Sequence, residues 1–95
     1  MVDNVMSINY HNFMNNKDLI NKVGKKIKLL REDKKISQEV LGQLSKLERN
    51  SIGMIERGET NPTLCSLNQI ATALGVDINE LFDFTFYLLR FDAGA

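Results

Sequence analysis

A recurring helical spacing constrains this chain most. Ile20, Val23, Ile27 and Leu30 fall three and four residues apart, as do Leu64, Leu67, Ile70, Ala71 and Leu74. Such intervals gather apolar side chains on one face of a helix and scatter them over both faces of a strand. The first stripe predicts a helix over 17–34 that stops near Lys35. Ser37 then reads as an N-cap, with Glu39 in the first turn favoured by the helix dipole. Val40, Leu41 and Leu44 give a short second helix. Leu47 leads into a third segment with Ile52 and Ile55 facing inward, ended by Gly58 in the left-handed conformation that glycine adopts at little cost. Pro62 and Thr63 mark the next start, with Thr63 as cap, and Gly75 closes that fourth helix. Asp77 and Glu80 stand at capping-box spacing. They predict a short fifth helix carrying Ile78, Leu81 and Phe82. Short connections between such helices predict an all-α fold, a compact five-helix bundle.

The ends read differently. Residues 1–16 are rich in Asn and show no period, which predicts an N-terminal arm or lead-in. The helical domain is expected over 17–83, leaving 84–95 as a C-terminal aromatic tail. There Phe82, Phe84, Phe86 and Leu88 alternate with Asp83, Thr85 and Tyr87, a strand-like pattern. A lone strand beside helices has no sheet to join unless a second copy supplies one. The alternation therefore reads either as a dimer contact through Phe82, Phe84, Phe86 and Leu88, which we favour, or as an extended tail packed over the helices.

With 95 residues the chain has room for one domain and one modest core. A single cysteine excludes an internal disulfide framework and a cysteine-rich zinc site. His11 and Cys65 stand apart from any carboxylate cluster, so no metal or cofactor is expected. Ser37 has no partner histidine, and no glycine-rich phosphate loop is present, so an enzyme has no supporting constellation. No apolar run approaches the roughly 18 residues that span a bilayer. The opening stretch lacks the basic residue and apolar block of a secretory signal, so a cytoplasmic location is expected.

The formal net charge is zero, from 12 basic and 12 acidic side chains, which would seem to argue against nucleic acid. Its distribution says otherwise. Residues 17–35 carry Lys17, Lys22, Lys25, Lys26, Lys28, Arg31, Lys34 and Lys35 against Asp18, Glu32 and Asp33, whereas residues 63–95 carry Arg90 against four acids. A basic first helix and an acidic C-terminal part can give one basic and one acidic face. A lysine-rich solvated helix explains the first run equally well, so charge alone does not decide.

The stretch from Ile36 to Pro62, I-S-Q-E-V-L-G-Q-L-S-K-L-E-R-N-S-I-G-M-I-E-R-G-E-T-N-P, is more specific. It reads as two short helices joined by a turn of three or four residues, the second beginning near Glu48: a helix-turn-helix motif over about 37–57. Between buried Ile52 and Ile55, the second helix of the motif exposes Arg49, Asn50, Ser51 and Met54. Arg can pair with guanine and Asn with adenine, each through two hydrogen bonds, in a groove that admits one helix.

These residues resemble the Cro/repressor-type, or Xre-type, helix-turn-helix regulators, whose fold is the lambda-repressor-like bundle. The match runs through Ser37-Gln38-Glu39, Leu41, Ile52 and Ile55-Glu56-Arg57-Gly58. It continues through Pro62, Leu67, Ile70-Ala71, Ala73-Leu74, Val76 and Glu80-Leu81-Phe82, so it covers about residues 24–83. The resemblance implies that Gln38 contacts phosphate and buttresses a base-reading residue. It implies base contacts from Arg49, Asn50, Ser51 and Met54, and backbone grip from Arg57, Thr60 and Asn61. It also implies a structural pair, Arg31 with Glu56. Two residues depart from the family pattern: Gly42 stands where Ala is usual, and Lys46 where the tight turn usually has Gly. Lys46 then either bears the strain and offers its ammonium to phosphate, or the turn is shaped differently. Glu48 takes the usual Ser-like cap position. Its capping role is preferred over accepting from a cytosine amino group.

The expected function is a sequence-specific, DNA-binding transcriptional regulator that binds a two-fold symmetric operator in double-stranded DNA as a homodimer. It is expected to be autoregulatory: a restriction-modification controller, a phage-type repressor or an antitoxin. The alternative is a helix-turn-helix module used for protein contact, which would expose more apolar residues on its third helix. No membrane or small-molecule partner is expected. Zero net charge implies weak attraction to random DNA, with specificity resting on dimerisation and base contacts.

Overall fold

The computed structural model describes residues 14–85, and among these the secondary structure is helical. Helix α1 spans Asn16–Asp33, α2 Gln38–Ser45, α3 Arg49–Glu56 and α4 Leu64–Leu74, followed by a 3-10 helix at Ile78–Phe82. Four α-helices and one 3-10 helix thus stand in place of the five α-helices expected. The phenylalanines of the tail are handled differently from the alternation. Phe82 ends the 3-10 helix and is exposed, whereas Phe84 packs against the core. No strand occurs among the described residues. Phe86 and Leu88 lie outside them.

Polar side chains fix most of the helix starts. Asn15, in the stretch read as a lead-in, accepts from the Asp18 amide at 2.8 Å. Ser37 accepts from Val40 at 3.1 Å, and Thr63 from Ser66 at 3.0 Å. Each satisfies one amide the helix leaves unpaired, worth about 1 kcal/mol. The expected Asp77–Glu80 capping box is not made. Asp77 accepts from the Asn79 amide at 2.9 Å, closing a tighter turn. The Glu80 carboxylate instead reaches Lys26 Nζ at 3.1 Å, tying the 3-10 helix to α1.

Val23 and Ile27 of α1, Leu41 of α2, Ile52 and Ile55 of α3, Leu67, Ile70, Ala71 and Leu74 of α4, and Leu81 form one core. Fully burying each large side chain contributes roughly 1.5–3 kcal/mol. Helix α2 departs from its expected face. Leu44 is 56% exposed and Val40 is also exposed, while Leu41, Gly42 and Ser45 face inward. The buried Ser45 hydroxyl donates to the Leu41 carbonyl at 2.7 Å, and the Ser45 carbonyl accepts from Gln69 Nε2 at 2.8 Å. Leu64, assigned to the fourth stripe, is 73% exposed at the mouth of α4.

Backbone approach explains the two departures in the turn. A Cβ on Gly42 would lie 2.8 Å from the Leu47 carbonyl oxygen and 3.2 Å from the Arg49 amide nitrogen. The chain leaving α2 therefore folds directly onto Gly42, and the Leu47 amide donates to the Gly42 carbonyl at 2.9 Å. That return requires Lys46 to be left-handed, at φ 62°. The conformation costs a non-glycine residue roughly 1–2 kcal/mol. Lys35, after α1, is left-handed as well, at φ 59°. No helix among the described residues is long and apolar enough to cross a membrane.

Candidate nucleic-acid interface

Helix α3 is positioned by a polar network beneath it. Arg31 Nε donates to Glu56 Oε2 at 2.7 Å, and its Nη2 to Glu56 Oε1 at 3.0 Å. The remaining Arg31 nitrogen, Nη1, donates to the Ile36 carbonyl at 2.9 Å. Gln38 Nε2 adds a 3.0 Å bond to Glu56 Oε1. One buried carboxylate thus joins the end of α3 to α1 and to the first residue of α2. Glu56 holds the Arg31 guanidinium pKa above its ordinary value, chiefly through the hydrogen bonds, against the opposing effect of burial. The Gln38 amide nitrogen is engaged within the protein.

Gly24 brings α1 and α3 closer than any other residue would permit. A Cβ there would overlap the Ile55 carbonyl oxygen and lie 2.9 Å from that of Glu56. The sequence alone does not single out this residue. Its one signal was a glycine in the middle of a helical stripe, where it costs about 0.5–1 kcal/mol relative to Ala unless close approach requires it.

With Ile52, Gly53, Ile55 and Glu56 turned inward, α3 presents Arg49 and Asn50 fully at its start and Ser51 and Met54 half-buried beside them. The Asn50 amide nitrogen lies 3.9 Å from the Met54 sulfur. Ser51, Met54, Thr60 and Asn61 converge on a depression of about 230 Å³ between α3 and the start of α4, lined also by Thr63 and Ser66. Glu48 occupies the position before α3, but its side chain makes no capping bond. Its charge still suits the positive end of the helix dipole. The hydrogen-bonding role preferred from the sequence is absent.

Arg57, at the end of α3, is held by Glu59. Nε donates to Oε2 at 2.9 Å and Nη2 to Oε1 at 3.1 Å. Hydrogen bonding within the pair raises the Arg57 pKa and lowers that of Glu59. Lys46 is exposed at the turn, with Thr60 and Asn61 beyond Gly58. Two of the eight cations of residues 17–35, Lys26 and Arg31, are buried in ion pairs and leave the surface less basic than the sequence count suggests. No group of three or more metal-ligating side chains occurs among the described residues.

A model of the helix-turn-helix family HTH_3 matches residues 27–81. Control protein C.BamHI of Bacillus amyloliquefaciens is 41% identical over 63 residues, covering 65% of this chain and 78% of its own length. The immunity repressor of Bacillus phage phi105 is 36% identical over 59 residues, covering 62% of this chain, which spans only 41% of that repressor. Among solved structures, the restriction-modification controller protein C.AhdI from Aeromonas hydrophila superposes with a TM-score of 0.66 at 41% identity. That match covers 66% of this chain and 96% of the other.

Proposed function

Because the chain belongs to the HTH_3 helix-turn-helix family, and is thereby a DNA-binding transcriptional regulator, we propose that it reads a two-fold symmetric operator as a homodimer and controls its own operon. The observation that carries the reading is the division of α3. Its isoleucines, Ile52 and Ile55, are buried, and its exposed start is Arg49 and Asn50. Arg49, Asn50, Ser51 and Met54 then meet base edges, while Lys46, Arg57, Thr60 and Asn61 meet phosphates on either side. Gln38 fixes the start of α2 against α3 through Glu56, so its expected phosphate contact falls to the second hydrogen of its Nε2 and to its backbone amide.

Several controller proteins among the relatives favour a restriction-modification controller over a phage repressor or an antitoxin. Phe82, exposed at the end of the 3-10 helix, and Phe84 beside it are the described part of the proposed dimer contact. A protein-binding module is disfavoured because the exposed large hydrophobics lie on other helices, such as Val40 and Leu44 on α2, and not on α3.

Arg49→Ala tests base reading. It is expected to weaken operator binding by about 1–3 kcal/mol and to relax discrimination at one base pair of each half-site, with little effect on random duplex. Equal loss on both duplexes would make Arg49 a phosphate contact and remove the basis for sequence reading by α3.

A further inference from the structure

We propose that Glu59 is an internal stand-in for a DNA phosphate: it occupies the fork of Arg57 in the free protein and limits how much affinity the interface draws from the DNA backbone. The inference rests on Arg57 facing DNA, as above. The pair has the two-pronged geometry with which a guanidinium takes a phosphate. Three features of the backbone build it. Gly58 is left-handed at φ +71°, which brings the side chains on either side of it together. The Gly58 amide donates to the Ile55 carbonyl at 3.1 Å and the Glu59 amide to the Met54 carbonyl at 2.9 Å, so the bend is tied to the end of α3. Gly53 leaves room for the guanidinium on α3, since a Cβ there would lie 2.9 Å from Arg57 Nη1.

The pair is also replaceable. Its side chains are 53% and 52% exposed, and an ion pair that open to water contributes little to folding. A phosphate can therefore take the Arg57 fork without disturbing the core. When it does, the two hydrogen bonds from Arg57 to Glu59 are given up, and their loss is set against the phosphate contact. The penalty falls on any DNA sequence alike, so base contacts decide which sites are occupied. A glutamate carboxylate is charged at neutral pH, and hydrogen bonding to Arg57 lowers the Glu59 pKa further.

The test is a double-mutant cycle of wild type, Glu59→Gln, Arg57→Ala and the double variant. Binding is measured by fluorescence anisotropy over a salt series, on the duplex upstream of the protein's own reading frame and on a random duplex. Glu59→Gln is expected to tighten both complexes by a similar factor, about three- to tenfold, and to steepen the salt dependence by about one counterion. In the Arg57→Ala background the same substitution is expected to change affinity less than about twofold. A gain that persists without Arg57 would reduce Glu59 to a repelling charge and overturn the proposal, as would no gain or a loss. If wild type binds neither duplex, the reading of α3 as a DNA interface fails and this proposal fails with it. Binding by wild type with no gain from Glu59→Gln overturns this proposal alone.

Discussion

Arg31→Met is expected to destabilise the protein by about 3–5 kcal/mol, because it strips a buried carboxylate of its charge partner. The Glu56 side chain is 1% exposed. Without the guanidinium only Gln38 would remain of the side chains bonded to it. The Ile36 carbonyl would lose its Arg31 donor as well. For a domain this small the loss corresponds to a fall of about 12–40 °C in the unfolding midpoint, readable by circular dichroism. Replacing both partners, as in Arg31→Met with Glu56→Met, is expected to recover a large part of that loss, since two apolar side chains leave no charge stranded. A single variant within about 1 kcal/mol of wild type would mean that the pair behaves as a solvated surface bridge. The network would then not be what orients α3.

Gly24→Ala is expected to be the next most damaging change. Alanine improves helix propensity by about 1 kcal/mol, so on local grounds it should stabilise α1. The added methyl, however, would meet the carbonyl oxygens of Ile55 and Glu56. These are backbone atoms and cannot rotate aside. Relief requires α1 and α3 to separate where Arg31 joins Glu56. Overpacking of this kind costs about 1–3 kcal/mol; set against the propensity gain, a net loss of up to about 2 kcal/mol is expected in denaturant unfolding. Operator affinity should fall too, because the displaced end of α3 carries the turn with Arg57. A variant more stable than wild type would show that the two helices have slack at this crossing.

The helices were legible in the sequence where their apolar spacing persists over several turns. Val23 and Ile27 on α1, and Leu67, Ile70, Ala71 and Leu74 on α4, all face the core, because a long stripe fixes the rotation of a helix. Helix α2 has only eight residues, and two turns leave its rotation to its neighbours. Gly42 allows the returning chain to pack on its own face, which turns Leu41 and Ser45 inward and leaves Val40 and Leu44 in water. The 3-10 helix departs from the expected α-helix for a related reason. Asp77 and Glu80 have capping-box spacing, but the Glu80 carboxylate is drawn to Lys26 on α1, a partner 54 positions away that local pattern cannot supply.

At the candidate interface, the exposure of Arg49 and Asn50 was legible because Ile52 and Ile55 fix which side of α3 is buried. The latch between Arg57 and Glu59 was not. The left-handed bend at Gly58 is expected from the sequence, but its pairing of Arg57 with Glu59 over the bare surface at Gly53 is not, because Gly53 looks in sequence like an ordinary glycine. Net charge proved similarly indirect. Of the basic run in the first helix, Lys26 and Arg31 serve the interior, so the surface offered to DNA is set by burial and pairing more than by composition.

Hydroxyl-radical footprinting on the duplex upstream of the protein's own reading frame tests the regulator most directly. Two α3 helices of a dimer reading one face of the duplex should protect two symmetric half-sites centred about 34 Å apart, one helical turn. Arg49→Ala should lose that protection first. Uniform protection along the duplex, or a single unpaired site, would contradict sequence reading by a dimer through α3.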